Sequence, residues 1–181
     1  MNKPTGYDDA EAKKSGDFPR VPAGGYIAKI MTEEERLSQK GNPMLVLGID
    51  IADGEFAGHY TKLSEKIGKP CYPQIFQLTE GNNLPYFKGL IKDIEDSNSG
   101  SKYDFKDNQL LRRVIGVNLR EEEYENDKGE LKSVLKVAQT HPVSDIRNGL
   151  VKPLPKKTVS VVKVKVETVH NGKDDSDSLP F

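Results

Sequence analysis

Apolar and polar residues alternate along several short stretches of the chain, and that period of two predicts strands. After Gly24-Gly25, the first runs over Tyr26–Thr32, with Tyr26, Ala28 and Ile30 facing away from Ile27, Lys29 and Met31. Glu33–Pro43 is charged and closes on the turn Gly41-Asn42-Pro43. Met44–Ala52 is the second strand: Leu45, Leu47, Ile49 and Ile51 share a face, and Gly48 marks a bulge or bend. Asp53-Gly54-Glu55 then turns the chain into a third strand, Phe56–Leu63. Residues 64–82, broken by Gly68, Pro70 and Pro73, predict no regular element beyond a short apolar patch at Ile75-Phe76. The period then changes. Leu84, Phe87, Leu90, Ile91 and Ile94 fall at helical spacing and predict a helix over Leu84–Glu95, with Pro85 in its first turn and Asn82 or Asn83 as cap. Arg112–Tyr124 is the fourth strand, the turn Asn126–Gly129 follows, and Leu131–Thr140 returns as the fifth.

Five strands with one helix between the third and fourth predict a mainly β chain with an OB-fold-like five-stranded barrel, a fold that binds oligonucleotides on one sheet face and its adjoining loops. Residues 1–22, punctuated by Pro4, Gly6, Gly16, Pro19 and Pro22, read as an N-terminal arm, and 23–150 as the barrel domain. A short helical turn is expected at Ser144–Arg147, among Pro142, Pro153 and Pro155. Residues 151–172 form a basic linker or an added strand: Val162, Val164 and Val166 alternate with Lys163 and Lys165 inside Thr158–Val169. Residues 173–181 form an acidic tail expected to be disordered.

Composition sharpens this picture at a few points. Hydrophobic residues make up 35% and charged ones 30% of the 181 residues, which implies a modest core with long polar segments. The net charge of −1 gives no global pull toward a polyanion. The last nine residues carry Lys173 against Asp174, Asp175 and Asp177, a formal −2, which leaves the body at +1. A nucleic-acid surface is therefore a local patch with salt-sensitive binding. Cys71 is the one cysteine, the N-terminus shows no apolar signal-peptide core, and no apolar run reaches membrane-spanning length, so a cytoplasmic chain is expected.

Single-strand binding needs cations for phosphates and aromatic faces for bases. The candidates are Lys29, Arg36 and Lys40 on or after the first strand, and Phe56, Tyr60 and Lys62 in one register of the expected third. Arg113, Arg120 and Tyr124 on the fourth strand join Lys132 and Lys136 on the fifth. Lys152, Lys156, Lys157, Lys163 and Lys165 add a basic stretch that contacts DNA or holds the tail. Nothing points to catalysis. His59, His141 and His170 lack metal-ligand spacing, Asp50, Asp53 and Glu55 lack the remainder of a calcium loop, and Cys71 sits between prolines without a neighbouring base. No phosphate-binding glycine loop occurs. The expectation is a non-enzyme with no cofactor and no metal.

The tail ends Asp-Asp-Ser-Asp-Ser-Leu-Pro-Phe. A terminal Phe fills an apolar pocket while its carboxylate pairs with a cation, and Pro180 limits the conformations lost on docking. Asp174, Asp175, Asp177, Leu179, Pro180 and Phe181 resemble the acidic tip of bacterial single-stranded-DNA-binding proteins, which implies recruitment of replication, recombination and repair partners. A second resemblance covers more of the chain. Gly25-Tyr26 with Ile30, Lys40–Leu45, Asp53–Gly58 and the hairpin Arg120–Gly129 are similar to a bacteriophage family long catalogued as of unknown function. Members of that family look like phage single-stranded-DNA-binding proteins, which implies work in the cytoplasm of an infected bacterial cell. The alternative is an interaction protein whose tip mimics the host's and binds host factors without binding DNA. A homodimer through edge-strand pairing or through Thr158–Val169 fits either role.

Deleting Leu179–Phe181 should leave oligonucleotide affinity unchanged while abolishing capture of replication or repair partners in a pull-down. A sharp fall in DNA affinity would instead place the tip inside the DNA site.

Overall fold

One extra residue in the first strand sets the shape of the sheet. In the computed structural model, which describes residues 3, 5–9 and 19–159, β1 spans Gly24–Leu37 and pairs antiparallel with β2, Pro43–Ile51. The register slips at Met31, between Ile30↔Ile49 and Thr32↔Gly48. This is a β-bulge, which bends a strand and increases its twist. It lets the charged run Glu33–Leu37, expected as a loop, continue the ladder. Glu33 and Glu35 then lie opposite Leu47 and Leu45, while Thr32, Glu34 and Arg36 face outward with Gly48, Val46 and Met44. Gly48 is required there. Its N–H donates to Thr32 Oγ1 at 3.1 Å, and a Cβ at this position would lie 2.3 Å from that oxygen.

Phe56–Leu63 does not form the expected third strand. Gly54 and Gly58 take φ of 83° and 71° and turn the chain out of β2. The Asp50 carboxylate accepts the Ile51, Tyr60 and Thr61 N–H groups at 2.8, 2.9 and 3.0 Å. It thereby satisfies donors that open a helix, α1, His59–Ile67. Tyr60 and Leu63, one turn apart, pack on the core. The third strand is β3, Gln74–Leu78, in the stretch expected to be irregular, and it pairs with β2 from Met44↔Leu78 to Gly48↔Gln74.

Helix α2, Leu84–Ser97, forms where the helical period predicts it and buries Phe87, Leu90 and Ile94. Asn83 occupies its cap position but makes no side-chain cap bond, and Leu84 is exposed. β4, Val114–Glu125, and β5, Leu131–His141, form the expected hairpin, followed by the short helix α3, Val143–Arg147. The core joins Ala28, Ile30, Leu47, Ile49, Ile51, Ile115, Val117 and Leu119 to the buried face of α2. Burying each Ile or Leu there contributes about 1.5–3 kcal/mol.

The sheet is antiparallel with order β3-β2-β1-β4-β5. It is open: the five strands expected to form a barrel do not close into one. The edge strands β3 and β5 approach to within 8 Å between Cα atoms yet share no ladder. Tyr86 and Leu90 of α2 line the cleft between them, and a register slip in β5 beside Asn118/Leu119 displaces the backbone at that seam.

Residues 151–157, beyond the expected boundary near 150, pass over β1, where Val151 and Pro153 lie against Gly25 and Gly24, and reach β4. Asn118 Nδ2 donates to the Lys152 carbonyl at 2.9 Å. Lys157 bridges to β4 in parallel, donating to Glu121 O at 2.9 Å and accepting from Glu123 N at 2.8 Å. Lys156 Nζ lies 3.0 Å from both the Glu121 and Glu123 carboxylates.

Two glycine substitutions should move stability in opposite directions. At Gly116 a Cβ would meet the His141 carbonyl and Ile146 at 2.8 Å, so Gly116→Ala should lower stability by roughly 1–3 kcal/mol in urea denaturation. Gly89, exposed inside α2 with nothing within 4 Å, should gain about 0.5–1 kcal/mol as Ala.

Candidate nucleic-acid interface

The outward face of β1, β2 and β3 brings a cation and an exposed ring together. Val46 lies opposite both Glu34 and Phe76, and Arg36 opposite Met44, so these side chains share a face. Phe76 is 55% exposed, and the Arg36 guanidinium carbon lies 5.6 Å from its ring centroid, a cation–π distance. Glu34 lies 4.0 Å from the same guanidinium. Lys40 is exposed in the turn after β1, which is closed by Ser38 N–H to Asn42 O at 2.8 Å. Lys29 is exposed further back on β1.

Register also collects Arg120, Tyr124, Lys132 and Lys136 on one face of the β4–β5 hairpin, through Arg120↔Lys136 and Tyr124↔Lys132. Glu122 sits among them. It pairs with Arg120, and with Lys136 at 3.4 Å. The Arg120 hydrogen bond first, then Lys157 and Lys136, hold its carboxyl below the ordinary value. Lys132 pairs with Glu130 at 3.4 Å, while Tyr124 stays 44% exposed. The hairpin that looked basic in sequence is therefore balanced by its own carboxylates. Arg113 is half-buried at the approach to β4, its carbonyl accepting Ile30 N–H at 2.9 Å.

Phe56, Tyr60 and Lys62 do not share a strand face. Phe56 lies half-buried in the turn before α1, edge-on to Tyr26 at 6.4 Å and His59 at 6.2 Å. Tyr60 is a buried core residue and Lys62 is exposed on α1. The physical reason is the helix: residues two apart diverge by about 200° around a helix axis, whereas on a strand they align. The tail residues Asp174, Asp175, Asp177, Leu179, Pro180 and Phe181, with Lys163 and Lys165, lie outside the described residues.

Tyr103 and Phe105 are absent from the sequence candidates, and Phe76 enters there only as part of an apolar patch. Phe76 had a signal, since Gln74–Leu78 is a short β-prone run bounded by Pro73. Phe105, 75% exposed in the connection from α2 to β4, had none, because a lone aromatic in a polar loop carries no period. Among the described residues, no group of three or more His, Cys, Asp or Glu side chains is placed to hold a metal ion. No helix among them is long and apolar enough to cross a membrane.

Residues 6–66 match a family described as "Protein of unknown function (DUF669)". The match spans about a third of the chain and takes in β1, β2 and nearly all of α1. It therefore includes Arg36 and Lys40 but stops short of Phe76. None of the curated proteins matches the chain.

Tyr60 supplies a pH test of its buried place. Its phenol is pushed up from the ordinary 10.0 to about 12, by burial first and then by Tyr26 and Asp50. The unfolded chain thus releases this proton first as pH rises, so the stabilisation is whole below 10.0 and is lost on approach to 12. Ultraviolet titration should show a late phenol step that accompanies unfolding, and Tyr60→Phe should diminish that step.

Proposed function

We propose that the chain is an OB-type protein that coats single-stranded DNA without strong sequence preference, serving phage replication, recombination and repair. The sheet order supports the fold. The order β3-β2-β1-β4-β5 in an open sheet whose outer strands approach is compatible with a five-stranded Greek-key barrel, and OB barrels are commonly partly open. The observation that carries the function is Arg36 over the exposed Phe76 ring, beside the turn that holds Lys40. That fold binds oligonucleotides on its strand 2–3 face and on the loop joining strands 1 and 2. An aromatic surface with a neighbouring guanidinium suits bases of any sequence, because every base has a π-face. In this reading the acidic tip recruits protein partners and takes no part in DNA contact.

Glu122, which neutralises Arg120 and Lys136, supports the second reading, in which the body binds protein and the tip engages host factors. Polyanion binding separates the two. A labelled oligo-dT of about 30 nucleotides, followed by fluorescence anisotropy, should bind tightly at low salt, weaken as salt rises, and resist competition by duplex. Arg36→Ala and Phe76→Ala should each lower affinity roughly tenfold, the worth of one stacked base or one charged contact. No binding by the wild-type protein at low salt would overturn the reading in favour of a protein-binding body.

A further inference from the structure

A groove of about 490 Å³ opens where the tips of β1 and β2 meet the start of α2 and the loop from α2 to β4. Leu37, Leu84, Tyr103 and Phe105 line it, and Arg36 forms part of its wall. Arg36 therefore belongs to two surfaces: its guanidinium covers Phe76 on the sheet face, and its side chain borders the groove. The groove continues the surface proposed above for bases.

Phe105 is held in place although its ring faces water. Its backbone is left-handed, φ 62°, a conformation that costs a bulky residue roughly 1–2 kcal/mol, and Asn108 and Arg112 in the same connection take φ of 59° and 67°. The connection is nevertheless pinned on both sides of Phe105. Tyr103 N–H donates to Glu95 Oε1 at 2.8 Å, and Asp104 N–H to Gln109 Oε1 at 3.0 Å. Gln109 Nε2 donates to Lys102 O at 2.7 Å, and Leu110 N–H to Glu33 Oε2 on β1 at 2.9 Å. Leu110 is buried, whereas the Phe105 ring stays 75% exposed, its centroid 4.9 Å from that of Tyr103. A large apolar ring fixed in water at the expense of backbone strain contributes nothing to the core, and strain of this kind collects at ligand-binding positions.

We infer that this groove seats one unpaired base of the bound single strand, stacked on Phe105, with the strand's phosphates kept outside beside Arg36. This rests on the reading of the protein as a single-strand binder and adds a site at the edge of the strand face, walled by the α2–β4 connection. The charges favour the base over the phosphate as occupant. Glu35 lines the groove, and Glu33, Glu35 and Asp107 act together on Tyr103, so a phosphate entering here meets carboxylates. A neutral base does not meet that repulsion, and its N–H groups donate to a carboxylate. Among the described residues that line the groove, Arg36 is the one cation, and it sits on the side shared with Phe76.

The chain has no tryptophan, so Phe105→Trp installs a single indole at the site. Titration with unlabelled oligo-dT should quench its emission in step with the anisotropy change of the labelled strand, while free tryptophan in the same titration corrects for absorption. Phe105→Ala should weaken oligo-dT binding roughly tenfold. Phe105→Asn, which the left-handed backbone accepts, should weaken it as much while leaving the thermal midpoint unchanged or higher. If wild-type protein binds oligo-dT but the indole emission of the Phe105→Trp variant is unmoved and Phe105→Ala binds as wild type, the groove holds no base and the inference falls, with the single-strand reading intact. If wild-type protein does not bind oligo-dT at low salt, both fall together.

Discussion

β1 serves two ladders that do not run in step, and every surface described above depends on how it does so. Its first half pairs with β4 from Gly24↔Leu119 to Lys29↔Val114, and its length from Ala28 to Leu37 pairs with β2. Backbone N–H and C=O groups buried between strands must be paired, so a strand shared by two neighbours has little freedom to shift. The extra residue at Met31 lets the strand bend between the two ladders. The same residue changes which side chains face outward: without it, Arg36 would point to the core side and Glu35 to the solvent side. The cation–π face of Arg36 and Phe76 is thus a consequence of one bulge, stabilised by Thr32 reaching the bare Gly48.

A second constraint is the Asp50 carboxylate. It is buried at the end of β2 and accepts three backbone N–H groups, two of them from the first turn of α1. A buried carboxylate is costly unless its lone pairs are used, and here they hold the chain in a helix where local pattern alone allows a strand. That choice sends Tyr60 and Leu63 into the core and leaves the third strand to come from Gln74–Leu78. β3 is short, and its far edge meets α2 side chains at the seam with β5. The open sheet and the exposure of Phe76 on β3 follow from there.

The charges show how far register outranks composition. Four cationic or aromatic candidates do gather on the β4–β5 hairpin, yet Glu122 stands between Arg120 and Lys136 and takes both as partners. Glu122 and Arg120 are partly buried in this arrangement, and the pairing cancels the local field that would draw a phosphate. Lys156 is similarly occupied by Glu121 and Glu123. On the β1–β2–β3 face Arg36 lies over the exposed Phe76 ring, and its Glu34 neighbour is at the limit of ion-pair distance, 4.0 Å.

The sequence by itself determined the mainly β class, four of the strands, the amphipathic helix α2 and the hairpin turn at Asn126–Gly129. Each rests on a periodicity or turn chemistry that local chain geometry reads directly, such as Ile115, Val117 and Leu119 on one side of β4. Only the tertiary structure decided that Phe56–Leu63 yields a helix start, that Glu33–Leu37 belongs to a strand, and that the sheet stays open. It also decided which cations remain available to a ligand and which aromatic rings face solvent. The reason is physical. A period reports which side of an element is apolar, but a short segment's choice between helix and strand was settled by a carboxylate ten residues away, and a lysine's partner by the register of its neighbour strand. Phe105 is the extreme case: its exposed ring and left-handed backbone are set by hydrogen bonds reaching as far as Glu33, 77 residues away from Leu110 in the chain.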